Sequence, residues 1–192
     1  MPKDDAPTIA FASRADWENW LQANHERADG VWLKFAKKDS GIETVSYAEA
    51  VEAALCFGWI DGLAKSIDEQ RYRQRFTPRR ARSKWSQINR ARAEALIASG
   101  AMRPAGLREV ERARQDGRWE AAYPSPSKIE VPDDLRTALD ASPAATQFFA
   151  QLDATNRYAI LYRIHDAKRA DTRARRIAQF VRMLARGEKI HS

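Results

Sequence analysis

Cysteine is almost missing from this chain: Cys56 is the only one in 192 residues. No intramolecular disulfide can form, which suits a reducing compartment. Histidine is scarce too, and His25, His165 and His191 stand far apart in no ligand spacing. With neither Cys-x-x-Cys nor His-x-x-x-His, a zinc site has nothing to build on, so no metal and no cofactor is expected. A Walker loop, a Gly-x-Gly-x-x-Gly turn and a Gly-x-Ser-x-Gly elbow are all lacking. No stretch nears the roughly 20 apolar residues of a membrane helix, so no membrane span is expected. The start, Met1-Pro2-Lys3-Asp4-Asp5-Ala6-Pro7, is polar, reads as a frayed tail and lacks the apolar core of a secretory signal. A cytoplasmic location is the expectation.

Charge is plentiful. Apolar residues at 44% and charged residues at 31% fit an ordinary globular protein. The net charge of +7 favours anionic partners, although it is diluted by 26 acids. The excess is concentrated. Between Gln70 and Ala93 there are nine Arg or Lys and no Asp or Glu.

Local patterns give the elements in order. Thr8 to Phe11 reads as a short strand. Ser13 is placed to cap a helix carrying Trp17, Trp20 and Leu21. Val31 to Ala36 alternates, with Val31, Leu33 and Phe35 facing one way and Trp32 and Lys34 the other. Ser46 and Glu49 form a capping box for a helix ended by Gly58. Trp59 to Ile67 and Arg71 to Thr77 predict a hairpin joined by Asp68-Glu69-Gln70. In its second strand Tyr72, Gln74 and Phe76 share one face, and Arg71, Arg73 and Arg75 the other. Ser83 is expected to cap a helix to about Ser99, and Pro104 to open another.

Tyr123-Pro124-Ser125-Pro126-Ser127 is the linker candidate, because two prolines break any regular element. All six tryptophans lie at or before Trp119, and the chain beyond reads as helical. Helix starts are expected at Pro132-Asp133-Asp134, at Ser142-Pro143, and at Asp153 or Thr155. A last helix is expected to bury Ala174, Ile177, Val181 and Leu184. The expectation is an α+β fold: a small, mostly antiparallel sheet with packed helices over residues 1–118, a linker over 119–130, and a helical unit over 131–192.

Several segments together carry a resemblance. They are Ser46-Tyr47 with Glu49-Ala50-Val51, Cys56-Phe57-Gly58-Trp59-Ile60-Asp61-Gly62, Phe76-Thr77-Pro78-Arg79-Arg80, Ser83-Lys84-Trp85-Ser86 with Asn89, Gly100-Ala101-Met102, and Thr172-Arg173 with Arg175-Arg176-Ile177. In this order they resemble the bacteriocin-protection family, also called YdeI or OmpD-associated proteins, from about Thr8 to Gly187. The resemblance implies a role in tolerance of antimicrobial stress. It brings no agreed catalytic residues.

The residues themselves point to an anion-binding groove: Arg71, Arg73, Arg75, Arg79, Arg80 and Arg82, edged by Trp59, Asp61, Trp85 and Asn89. Arginine forks match phosphate and carboxylate, and Arg79 to Lys84 approach an expected helix N-terminus. The plainer alternative is a solvated sheet face with ion pairs to acids such as Asp61 or Asp68. Trp85 and Asn89, four apart, would share a helix face and could hold a ligand ring, or Trp85 is simply core. Cys56 sits among apolar neighbours and reads as an inert thiol. The arginines of the last helix read as its wet side.

Three functions stay open. The first is a non-catalytic stress-protection protein holding a small anionic ligand or a protein partner. The second is nucleic-acid binding, weakened because alternation puts Tyr72 and Phe76 on the face opposite the arginines. The third is an enzyme of unknown class with Asp61 as acid/base or orienting group.

Overall fold

The computed structural model of the chain describes residues 6–191. Of the tail read over residues 1 to 7, residues 1–5 lie outside the described residues. The fold is α+β, with four strands followed mainly by helices. It divides into two compact units. One runs through Trp85 and from Asn89 to Ala122; the other comprises Ser86–Ile88 and the chain from Tyr123 onward.

The first unit is built on a mixed sheet of order β1-β2-β4-β3. β1 (Thr8–Ala10) runs parallel to β2 (Val31–Ala36), joined by α1 (Arg14–Asn24). β2 pairs antiparallel with β4 (Arg71–Pro78), which pairs antiparallel with β3 (Trp59–Ser66). The hairpin expected from sequence is this β3–β4 pair.

Both helices that cover the sheet start on capping boxes. Ser13 and Asp16 close the first turn of α1, and Ser46 and Glu49 that of α2 (Tyr47–Cys56). They bury one face of the sheet through aromatic contacts. Trp17 meets Phe76 edge-on at 5.6 Å and stacks on Trp20 at 5.3 Å. Its indole Nε1 donates to the Ala50 carbonyl at 3.1 Å, so a fully buried ring leaves no polar atom unpaired. Leu33, Phe35 and Phe76 line the same core, as their alternation requires.

α3 (Gln87–Ala98) corrects one expectation. Ser83 does not cap it. Its hydroxyl instead accepts from the Arg80 amide at 2.9 Å, closing a local turn. Trp85 is buried against Trp119 at 4.9 Å, and this packing keeps residues 84–86 out of the helix. Trp85 and Asn89 therefore do not share a helix face.

α4 (Pro104–Gln115) opens with proline at its first position, where no amide donor is needed. It approaches α2 through two glycines. Gly58 ends α2 at φ 73° beneath the Ala105 carbonyl. Gly106 leaves no room at all: a Cβ there would stand 2.5 Å from the Leu55 carbonyl oxygen and 2.6 Å from that of Cys56.

The second unit is helical: α5 (Asp133–Asp140), α6 (Pro143–Ala150), α7 (Ala154–His165) and α8 (Ala170–Ala185). Its core joins Leu135, Phe149, Ile160, Ile164, Ile177, Phe180 and Leu184. On α8 the buried stripe passes through Phe180, while Ala174 is exposed, contrary to the expected periodic set. Of the two caps considered for α7, Asp153 is the one used, accepting from the Asn156 amide at 2.8 Å. Asn156 is itself buried, and its side-chain oxygen accepts from the His191 amide at 2.8 Å, tying down the end of the described chain. Asp134 of α5 is gripped by Arg173 of α8 at 2.6 and 2.9 Å.

Two outcomes follow from these contacts. Gly106→Ala gains about 1 kcal/mol of helix propensity. It nevertheless forces a methyl onto two backbone carbonyls, so a net loss of about 1–3 kcal/mol is expected, read from the urea midpoint. The Arg173 fork, as hydrogen-bond donor and then as charge, holds the Asp134 carboxyl below its usual range. That contribution is complete above the unfolded carboxylate value of about 3.9 and fades as pH falls through the lower folded value. Asp134→Asn is expected to flatten the acid limb of thermal stability below about pH 4, by less than ~1 kcal/mol because the pair is half exposed.

Candidate anion-binding site

The sheet face turned away from α1 and α2 is cationic. Lys34, Arg73 and Lys65 are direct cross-strand neighbours on β2, β4 and β3. Side chains paired this way point to the same face, so three positive charges lie abreast across three strands. Arg75 sits opposite Trp32, and Arg71 opposite Ala36, in the same register. Like charges directly opposite one another repel, so the row concentrates positive potential on this face.

Trp32 lies under this charge. Its ring is 1% exposed, and the guanidinium of Arg73 stands 4.5 Å from its centroid. Lys65 and Arg75 stand at 5.6 and 5.8 Å. Cations over an indole face are attracted by its quadrupole, which offsets part of their mutual repulsion. Arg73 also donates to the Thr8 hydroxyl at 3.3 Å, and Arg71 lies 3.7 Å from Asp68.

The six arginines of the expected groove fall in three places. Arg71, Arg73 and Arg75 share the outer sheet face, as alternation requires. Arg79 is buried: its guanidinium stacks 3.5 Å over Trp85, and its Nη1 donates to the Lys84 carbonyl at 3.3 Å. Beneath this region Glu109 is nearly buried and bonded to Arg112. Burial raises its carboxyl above the usual range, against the pull of Arg112 and Arg79. Arg80 and Arg82 are exposed on the turn between β4 and α3.

The expected edge residues are not at the arginine row. Trp59 is core, 1% exposed, and its Nε1 donates to the His25 carbonyl at 3.1 Å. Asp61 pairs with Phe76, which places it on the helix-covered face. There it accepts from the Tyr47 hydroxyl at 2.7 Å and from Gln74 Nε2 at 3.5 Å. The phenol of Tyr47 is pushed up, first by burial and then by that bond. Asp61 and the three strand arginines are thus on opposite sides of the sheet. Asn89, in the first turn of α3, accepts from Arg92 at 3.4 Å.

Sequence reasoning missed Lys34 and Lys65 as members of the cluster. Lys34 had a signal, its place out of phase with Leu33 and Phe35. Lys65 was hidden by a bulge. The register shifts between Asp61 and Ala64, so simple alternation from Asp61 would put Lys65 on the wrong face.

Elsewhere, three arginines at or in α8 are paired with acids: Arg169, just before it, with Asp171, and Arg173 with Asp134 and Arg176 with Asp166. Among the described residues, no group of three or more His, Cys, Asp or Glu is placed to hold a metal ion. No helix among them is long and apolar enough to cross a membrane. Cys56 is buried, and that burial pushes its thiol up to about 11. Slow alkylation by iodoacetamide at pH 8 is expected in the native protein, rising at least ~100-fold in urea, followed by intact mass.

Comparison with curated proteins and with solved structures returns no match. Two family models match. Residues 128–187, within the helical second unit, match the model described as Bacteriocin-protection, YdeI or OmpD-Associated, the family that the sequence resembles. Residues 9–109, just over half of the chain, contain the sheet apart from Thr8, with its cationic face, and match a different model. The chain therefore belongs to the family described as Domain of unknown function (DUF8412), and carries in its C-terminal part a bacteriocin-protection, YdeI or OmpD-associated domain.

Proposed function

We propose that this is a non-catalytic, cytoplasmic stress-protection protein of the bacteriocin-protection type, which holds an anionic partner against the outer face of its sheet. The protective role draws its support from the match over residues 128–187. The anionic partner draws its support from one observation: Lys34, Arg73 and Lys65 stand abreast in register, with Arg71 and Arg75 beside them on β4. An anion lying over cations aligned in this way gains from each of them.

The shape favours an extended anion over a small one. Three strands at ~4.8 Å spacing and the four residue steps from Arg71 to Arg75 at ~3.3 Å rise give a cationic patch of roughly 10 by 13 Å. Trp32 is roofed by cations and has no free face for a base to stack on. A nucleic acid would therefore be held by its backbone alone, without sequence preference.

The direct test compares wild type with Lys34→Ala/Arg71→Ala for binding to a labelled single-stranded 20-mer and to heparin at several salt concentrations. Both residues are half-buried on the outer face and outside the aromatic core, so folding stability should change by no more than about 1 kcal/mol. Affinity at low salt should fall about tenfold or more. The slope of log affinity against log salt should become shallower by about 1.5 units for the single strand, since two cations no longer displace counterions. Equal affinity and equal slope in the two proteins would overturn the assignment, as would no binding of either polyanion at low salt. Survival of a deletion strain under bacteriocin challenge tests the protective role; survival equal to the parent would count against it.

A further inference from the structure

The second unit contains a groove of about 470 Å³, whose lining residues all belong to that unit. Its volume falls in the range of small-molecule sites. Leu161 of α7 lies at its base, and Ile129 and Val131 of the segment before α5 supply further apolar surface. Lys128, Arg136, His165 and Arg173 bring four basic side chains to the same space. This is a different place from the sheet face, and the sequence reading gave it no role.

Arg173 is fixed in position. Its Nε and Nη2 donate to Asp134 at 2.6 and 2.9 Å, and its Nη1 donates to the Ile164 carbonyl at 3.0 Å. A guanidinium has five N–H groups, so two remain beyond these three bonds. The partner that neutralises it also orients it, which is how a binding arginine is pre-organised. The acids of the groove are Glu130 and Asp133, both exposed; the carboxylate of Asp133 lies 3.8 Å from Arg136.

We infer that this groove binds a small molecule with an apolar body and one carboxylate or phosphate group, seated between Arg173 and His165 with Lys128 and Arg136 at the rim. His165 ends α7 and faces Arg173 and Lys168, with Asp166 beside it. Partial burial, then Lys168 and Arg173, hold its imidazole below the usual histidine range. An anion placed against it reverses that balance and favours the imidazolium. Binding is therefore accompanied by proton uptake, and affinity rises as pH falls from about 8 towards 5.5.

The probes are benzoate, whose charge is constant over this range, and phenyl phosphate, which separates a phosphate preference from a carboxylate one. Titrations of the full chain are followed by the His165 ring proton signal in NMR. Saturating benzoate should raise the midpoint of His165 titration, and affinity should change about tenfold for each unit of that rise. Arg136→Ala and Lys128→Ala, both exposed changes, should each weaken binding about threefold or more. His165→Asn should keep binding at pH 8 and lose its pH dependence. Lys34→Ala/Arg71→Ala should bind the probes as wild type does, so this site and the sheet face stand or fall separately. An unmoved His165 signal with both probes at tens of millimolar would overturn the inference. Affinity independent of pH, or undiminished in both rim variants, would overturn it as well.

Discussion

β4 is paired on both sides, and the alternation of its side chains decides what each face of the sheet becomes. Phe76 and Gln74 go inward, and Phe76 receives the edge of Trp17 from α1. The same strand then has to turn Arg71, Arg73 and Arg75 outward, because side chains alternate with period two. Neither assignment can change alone. A one-residue slip would bury three guanidinium groups under α1 and α2 and expose Phe76, at a cost far beyond any hydrogen bond regained. The cationic face is thus locked by the aromatic core behind it.

That locking also fixes what lies beneath the cations. Trp32 on β2 belongs by phase to the outer side, where a bare indole would be exposed. Arg73 closes over it at 4.5 Å, with Lys65 and Arg75 flanking. The ring gives the cations an attractive surface, and the cations' alkyl stems shield the ring from water. Repulsion along the row and burial of the tryptophan are solved by one arrangement.

Much of this was legible in the sequence, and the rest failed for identifiable reasons. The N-cap at Ser13, the capping box at Ser46, Pro104 and the hairpin ends are local signals, and the structure uses each of them. Ser83 carried an equally good local signal, but the tertiary contact of Trp85 with Trp119 outweighed it. The phase of Lys65 depends on a bulge that only Gly62 hints at. Arg79 follows Pro78 at the end of β4, where alternation no longer says which way a side chain points. Its burial is visible only once Trp85 and Glu109 have been brought to it from later in the chain.

Arg79 and Arg73 show why charge density by itself does not locate a site. Both come from the same basic run, and both lie over an indole. Around Arg79 the protein supplies a flat indole, a carbonyl acceptor and the nearby Glu109 carboxylate, so that a buried charge is held by the fold itself. Around Arg73 the direct cross-strand neighbours are two more cations. A charge compensated from within holds the structure together. Cations aligned across neighbouring strands give an extended anion several contacts at once, and each contact adds to its binding.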